Sequence, residues 1–261
     1  MFLVEPPPSP GDLHFRIFGF PVRVHPWFWL VAVFLVIGGG RKVEPVEAVI
    51  WVAVMFVSIL IHELGHTFTQ RNFGGRPRIV LYGLGGLAIA DDCDRSPRSQ
   101  ILISLAGPAA GFLFAAIVFL VVRLSGRQIG FLPPGTGINF QALGVEEVIT
   151  QPMILFRAYF VPFTSEIANQ LVADLLQVNI LWGLINLMPI YPLDGGRVSR
   201  EVFTLNHSRR GIVQSLWLSA GAATAFAIFG LMRGSIFTAV MFGYLAYANY
   251  QNIQAYDRHW G

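Results

Sequence analysis

The pattern His62-Glu63-Leu64-Gly65-His66 combines residue types that can bind a metal ion and move a proton. On a helix, residues four apart lie about 40° apart around the axis, so both imidazoles point to one side and can bind one ion. Glu63 follows the first histidine and is close enough to reach water at the metal. Two histidine ligands with a neighbouring general base are typical of zinc-dependent hydrolysis. The pattern predicts a metal site, and the alternative is a buried polar patch without metal.

A catalytic zinc ion usually has a third protein ligand and one position open to water. Asp194 is the strongest candidate for that ligand, because it ends another apolar segment within the run NLMPIYPLDGGR of residues 186–197. If both segments cross the membrane in the same direction, Asp194 meets the histidines on one side. A helix N-cap before Gly195 is the alternative role for this aspartate. The remaining histidines are further candidates: His14, His25, His207 and His259.

Two prolines and an asparagine precede Asp194 in the same run. Pro189 and Pro192 should unwind the chain there, because proline donates no amide hydrogen bond and disfavours helix at the preceding residue. Asn186 lies about two turns earlier and is predicted to bind the substrate backbone. Packing between helices is the alternative role for Asn186.

The composition indicates a membrane protein. Hydrophobic residues make up 54% of the 261 residues and charged residues only 13%, about half the charged fraction of an average soluble domain. This composition therefore excludes four classes of protein: a soluble globular enzyme, a disordered chain, a coiled coil and a nucleic-acid binder. The single cysteine, Cys93, excludes an internal disulfide.

Six apolar segments have roughly the length that a spanning helix needs, about 20 residues. They predict an all-α polytopic membrane protein with a single transmembrane domain over residues 1–261. The first segment is the weakest, because Arg23, His25 and Pro26 lie at its start. The predicted spans are residues 22–40, 48–68, 101–122, 175–193, 212–232 and 235–256.

Basic residues are divided unevenly between the two sides that six spans define. One set of flanking segments holds 12 of the 18 Lys and Arg residues, and the other set holds the remaining 6. Cytoplasmic segments carry the excess of basic residues in membrane proteins. We therefore expect a multi-pass protein of the cell (inner) membrane with both termini in the cytoplasm. The proline-rich N-terminus shows no cleavable signal peptide.

Two further segments are expected to lie outside the spans. Residues 79–89 are apolar and glycine-rich but too short to cross, and they predict a re-entrant strand or hairpin after the second helix. Unpaired backbone cannot face lipid, so this segment must line a protein cavity or the membrane surface. Residues 148–163 contain Arg157, Pro152 and Pro162 and are interpreted as an interfacial or loop element.

In these motifs the chain resembles the site-2 protease family of intramembrane zinc metalloproteases. The resemblance runs from about Val46 to Arg200 and includes both the HELGH and the NxxPxxPLDGGR sequences. It implies one zinc ion per chain. The site residues that it implies are the zinc ligands His62, His66 and Asp194 and the catalytic base Glu63.

The resemblance also concerns the re-entrant strand and the third span. It implies a glycine-containing strand that pairs with unwound substrate, which fits Gly85 and Gly86. Family members often carry Gly-Pro-x-x-Asn in the third span, whereas this chain has Gly107-Pro108 followed by Gly111. The compact chain looks most similar to the short, sporulation-type branch.

The expected function is hydrolysis of a peptide bond within the transmembrane segment of a membrane protein, near the cytoplasmic side. The expected partners are a transmembrane protein or peptide substrate, the lipid bilayer and a regulatory membrane protein, with no nucleic acid. One alternative is a zinc transporter, in which Asp174, Gln177 and Asn179 would continue a polar path. Another is a membrane-bound zinc protease that cuts soluble substrates.

Overall fold

The structure is a computed structural model that describes residues 5–37, 43–83, 85–133, 135–136, 147–153, 156–205 and 208–260. Within these ranges the chain forms seven helices and seven strands. The helices are α1 (Pro26–Ile37), α2 (Pro45–Asn72), α3 (Pro97–Leu124), α4 (Glu166–Asn186), α5 (Asp194–Thr204), α6 (Ser208–Met232) and α7 (Ile236–Trp260). The strands are β1 (Leu13–Ile17), β2 (Phe20–Val24), β3 (Arg78–Tyr82), β4 (Gly85–Ile89), β5 (Ile129–Leu132), β6 (Ile149–Pro152) and β7 (Arg157–Phe160).

A four-stranded sheet corrects the all-α prediction. Its order is β1-β2-β3-β4, with β2 and β3 parallel and the other pairs antiparallel. Strands β3 and β4 pair as the predicted hairpin, but the hairpin is half of this larger sheet. Strand β2 alternates between buried Phe20, Val22 and Val24 and the more exposed Pro21 and Arg23, the period of two that a half-buried strand requires.

The first predicted span is wrong at its beginning. Residues 22–24 belong to strand β2, and the helix that follows is α1, which has 12 residues in the part of the chain that the structure describes. Residues 38–40 of the predicted span lie outside the described residues. These 12 described residues are fewer than the roughly 20 that a spanning helix needs.

Three of the other predicted spans lie in helices that are long and apolar enough to cross a membrane: Pro45–Asn72, Pro97–Leu124 and Arg210–Met232. Residues 175–193 are helical only as far as Asn186, where α4 ends. The last predicted span, residues 235–256, is helical from Ile236 onward in α7, which is not among these three helices. Six transmembrane helices are therefore not confirmed.

Small residues allow the helices around the predicted site to pack closely. A Cβ atom added at Gly65 of α2 would overlap the Ala106 carbonyl of α3. Similarly, a Cβ at Gly183 of α4 would lie 2.7 Å from the ring of Phe112 in α3. Such contacts let two backbones approach closely. Helices α2, α3 and α4 thus form a compact group against which the four-stranded sheet packs.

A second sheet lies near the end of α3 that is remote from the histidines. Its strand order is β5-β7-β6, and all of its pairs are antiparallel. Phe160 and Ile129 from this sheet pack with Val118 and Val122 of α3 in one buried cluster. The predicted interfacial or loop element at residues 148–163 therefore contains two of the three strands.

Candidate metal centre

His62, His66 and Asp194 converge in a buried site between α2 and the beginning of α5. The two histidine Nε2 atoms are 3.1 Å apart, and the Asp194 Oδ2 atom lies 3.1 Å from His62 Nε2 and 3.3 Å from His66 Nε2. All three residues are less than a tenth exposed. The structure thus brings the aspartate to the histidines from 132 positions along the chain.

The spacing of these atoms fits a zinc ion. Ligand atoms bound tetrahedrally at about 2.0–2.2 Å lie roughly 3.3–3.6 Å from one another, close to the 3.1–3.3 Å between these three atoms. The Ile103 carbonyl accepts a hydrogen bond of 2.7 Å from His66 Nδ1. Because a carbonyl oxygen can only accept, the proton is on Nδ1 and the Nε2 lone pair is available to a metal. Two imidazoles and a carboxylate that point their acceptor atoms at one position make a good cation site.

Glu63 lies beside this position and is 4% exposed. Ligand atoms of His62, Glu63 and His66 all lie within 4.8 Å of one another, so that these three residues could hold a metal ion. Strand β4 approaches Glu63 very closely, because a Cβ atom at Gly86 would overlap the glutamate side chain. Glycine at position 86 is therefore required for this arrangement of strand and carboxylate.

The two imidazoles also have a close neighbour on α3. A Cβ atom at Gly107 would overlap His66 Nε2 and would lie 2.7 Å from His62 Nε2. One turn further along, Gly111 has more room, with the Asn179 carbonyl oxygen 3.5 Å from its ideal Cβ position. The contact of Gly107 with the site was not predicted from the sequence.

The chain unwinds before Asp194, as the two prolines predicted. Helix α4 ends at Asn186, and α5 begins at Asp194. The N-cap of α5 is Leu193, so the alternative N-cap role does not describe Asp194, which lies in the first helical turn. A carboxylate is favoured there by the free N–H groups and the dipole of the helix.

Glycines after Asp194 let the chain fold back on itself. A Cβ atom at Gly195 would overlap the carbonyl of Leu187, and one at Gly196 would overlap the backbone of Ile190. The beginning of α5 therefore packs directly on the backbone of residues 187–190. This contact fixes Asp194 relative to the end of α4.

The predicted substrate-binding residues take different places around the centre. Gly86 lies against Glu63, whereas Gly85 lies at the hairpin turn with a φ of +119° and close to the Trp182 ring. Asn186 is buried at the end of α4, and its Nδ2 atom donates to the Trp182 carbonyl at 2.9 Å. That bond lies within helix α4.

The alternative histidines are in other surroundings. His14 is exposed in strand β1. His25 is buried, and its Nδ1 atom accepts from the Trp27 backbone N–H at 3.2 Å. His207 and the side chain of His259 lie outside the described part of the chain.

Comparison with known proteins identifies the family of this chain. Residues 50–228 match Peptidase family M50. This chain belongs to that family. It is 24% identical over 224 residues to "Zinc metalloprotease MJ0392" of Methanocaldococcus jannaschii, and 29% identical over 243 residues to "Putative zinc metalloprotease Rip3" of Mycobacterium tuberculosis.

The lengths of these relatives differ from that of the chain. Each of the two matches covers 84% of this chain but only 52% or 53% of the relative, so the chain spans about half the length of the curated relatives it matches. The solved structure "Site-2 Protease from Methanocaldococcus jannaschii" has the same fold, with a TM-score of 0.56 at 20% identity. That match covers 93% of this chain and 95% of the other. The chain is an integral membrane protein, because it belongs to Peptidase family M50 and its described residues include three candidate membrane helices.

Proposed function

We propose that this protein is an intramembrane zinc metalloprotease of the site-2 type. It would hydrolyse a peptide bond in the transmembrane segment of a membrane protein, near the cytoplasmic side. The observation that carries the proposal is the convergence of His62, His66 and Asp194 within 3.3 Å of one another, with Glu63 beside them. These are the three ligands and the base that hydrolysis requires.

Each residue has a separate task in the reaction. The two imidazoles and the Asp194 carboxylate would hold the zinc ion, which would polarise the scissile carbonyl and lower the pKa of water. Glu63 takes a proton from the attacking water at its carboxylate and passes it to the leaving amine. The Ile103 carbonyl keeps the proton of His66 on Nδ1. Burial of all four side chains strengthens these electrostatic interactions.

Strand β4 is suited to bind the substrate as an additional strand. Opposed residues of an antiparallel pair alternate in whether their backbone groups face the partner. Counting from the hairpin pair Tyr82–Gly85, the backbone groups of Gly86 and Ala88 point away from β3. Gln70 Nε2 supports this, because it donates to the Ala88 carbonyl at 3.1 Å. An unwound substrate would regain its lost hydrogen bonds at this edge, next to Glu63.

Water needs a route to the buried centre. A cavity of about 260 Å³ is lined by residues that include Gln70, Arg95, Gln100, Ile103 and Glu201. Ile103 is the residue whose carbonyl binds His66, so the cavity approaches the centre from the side of α3. We propose that this polar cavity admits water.

The orientation in the membrane is also a proposal. The uneven distribution of basic residues supports cytoplasmic termini in the cell (inner) membrane. We also propose that the protein acts on a transmembrane protein or peptide and interacts with a regulatory membrane protein. The transporter alternative gains no support, because Asn179 donates to Ser58 Oγ at 2.9 Å and to the Leu175 carbonyl rather than facing a polar path.

The function is tested with purified protein reconstituted into vesicles. We expect it to cut a synthetic transmembrane peptide, and mass analysis of the products should place the cut within the hydrophobic segment. A soluble peptide that carries the same residues around the cut is the control and should be cleaved far more slowly. Equal cleavage of the two peptides would favour the protease with soluble substrates. Zinc flux into the vesicles without any cleavage would favour the transporter.

A further inference from the structure

In the connection between α4 and α5, residues 187–193, one backbone N–H donates neither to the connection itself nor to α4. Leu187 and Met188 donate to carbonyls of α4, Ile190 donates to Met188, and Leu193 donates to Ile190. Pro189 and Pro192 have no N–H. Tyr191 is the exception, since its N–H leaves the connection to find an acceptor. Non-helical backbone inside a membrane protein must be bound by other parts of the protein.

Two side chains from the last helices bind both polar groups of Tyr191. Its N–H donates to Ser219 Oγ of α6 at 3.0 Å, and its carbonyl accepts from Asn249 Nδ2 of α7 at 2.6 Å. Asn249 Nδ2 also donates to the Leu245 carbonyl, and two carbonyl partners identify this atom as the amide nitrogen. Ser219 is 0% exposed and Asn249 is 1% exposed.

Tyr191 and Asp194 belong to one tightly packed unit. They are three positions apart in the sequence, and the glycines that follow Asp194 lie directly on the backbone of residues 187–190. Ile190, next to Tyr191, is fully buried at 0% exposure and packs among residues of α6 and α7. A displacement of Tyr191 therefore moves the carboxylate that faces the two imidazoles.

We propose that Ser219 and Asn249 are positioning residues for the metal ligand Asp194, and that α6 and α7 thereby set the metal affinity of the centre. The proposal rests on the proposed function, because it takes Asp194 as a zinc ligand. Metal ligands must be held within about 0.5 Å of their productive position by buried, hydrogen-bonded neighbours. Ser219 and Asn249 are such neighbours of the 187–193 connection. The two prolines of this connection have no N–H group and cannot take part in a regular pattern of backbone hydrogen bonds.

The chain offers matched controls for both residues. Ser215 lies one turn before Ser219, is equally buried, and donates only to the Ile212 carbonyl of its own helix. Asn169 of α4 is a buried asparagine that exchanges two hydrogen bonds with the Phe163 backbone, in a loop next to the second sheet. Each control removes the same chemical group from a buried position away from the 187–193 connection.

The experiment compares Ser219→Ala with Ser215→Ala, and Asn249→Leu with Asn169→Leu, in the full chain. Zinc affinity is measured by competition with a chromogenic chelator, and thermal unfolding is measured in parallel. We expect Ser219→Ala and Asn249→Leu to weaken zinc binding about 10-fold or more, which is the range for loss of groups that support a ligand. Both controls should lower the unfolding temperature and leave zinc affinity unchanged. In peptide cleavage, Ser219→Ala should lower kcat and should not raise KM.

The outcomes separate this inference from the proposed function. If the wild type binds zinc and Ser219→Ala binds it equally well, the positioning role is overturned while the protease proposal stands. If the controls weaken zinc binding as much as their counterparts, the effect is one of general stability and the positioning role is again overturned. If Asn249→Leu fails to fold, Ser219→Ala decides alone. A wild type that binds zinc but cuts no peptide leaves the affinity comparison valid and overturns the proposed function.

Discussion

The two parts of the metal centre are built in different ways. His62, Glu63 and His66 lie within one helix, so the helical repeat alone places both imidazoles on one side. Asp194 lies after a non-helical connection, and its position depends on Gly195, Gly196 and two side chains from α6 and α7. The first part is local and the second is tertiary. Of the three proposed metal ligands, Asp194 is therefore the one whose position other parts of the protein can change.

The largest expected effect concerns the local part of the centre. Gly107→Ala places a Cβ atom on both imidazoles, and we expect about a 100-fold loss of zinc affinity, the upper end of the usual range for a disturbed metal ligand, measured by chelator competition. Gly111→Ala is the matched control on the same helix, because the nearest atom there is 3.5 Å away. If Gly107→Ala retained wild-type zinc affinity, the two imidazoles would not be bound to one metal in this geometry.

A smaller effect is expected from the tertiary part. Gly195→Ala places a Cβ atom on the Leu187 carbonyl and displaces Asp194 without touching the histidines. We expect about a 10-fold loss of zinc affinity, because outer contacts of a ligand typically contribute 10- to 100-fold. Gly221→Ala in α6, which meets nothing within 4 Å, is the control. A loss larger than that of Gly107→Ala would contradict the ranking of the two parts.

The sequence predicted the local part more completely than the tertiary one. The HELGH spacing determines the histidine geometry without reference to the rest of the chain, and the two prolines correctly indicated unwinding before Asp194. The role of Gly107 could not be predicted, because it depends on which face of α3 meets α2. Strands β1 and β2 were missed, since the apolar residues from Val22 onward were interpreted as the beginning of a span.

Ser219 and Asn249 were also missed, although the sequence contains a signal for them. Polar side chains inside an apolar helix usually need a partner, and both residues lie within predicted spans. The sequence does not identify that partner, because Tyr191 lies 28 residues from one and 58 from the other. Asn249 also lies beyond the residues that match the family.

The edge of β4 can be tested without disturbing either part of the metal centre. Ala88→Pro removes an outward N–H and should lower kcat/KM for a transmembrane peptide about 10-fold with zinc retained, since proline is tolerated at sheet edges. Leu87→Pro should instead disrupt the hairpin, because its N–H faces β3 by the same alternation. If Ala88→Pro cut as fast as Ala88→Ser, substrate would not pair at this edge.

The smallest effect concerns the orientation that both parts share. Cys93 follows the β3–β4 hairpin, and its half-buried thiol lies 3.7 Å from the Gln70 carbonyl. Burial, and next the charge of Asp94, raises the pKa of Cys93 above its usual value. An impermeant maleimide should label it only after the cells are opened, slowly at neutral pH and faster as the pH rises, because the thiolate reacts. Labelling in intact cells would contradict cytoplasmic termini.

The central claim is that His62, His66 and Asp194 bind one zinc ion while Glu63 serves as the base. The most direct measurement is zinc content and peptide cleavage of Glu63→Gln and Asp194→Ala, purified side by side with the wild type. Glu63→Gln should keep one zinc per chain and lose at least 10²-fold in cleavage, the usual contribution of a general base. Asp194→Ala should lose both zinc and cleavage. Wild-type cleavage by Glu63→Gln, or full zinc content in Asp194→Ala, would contradict the account.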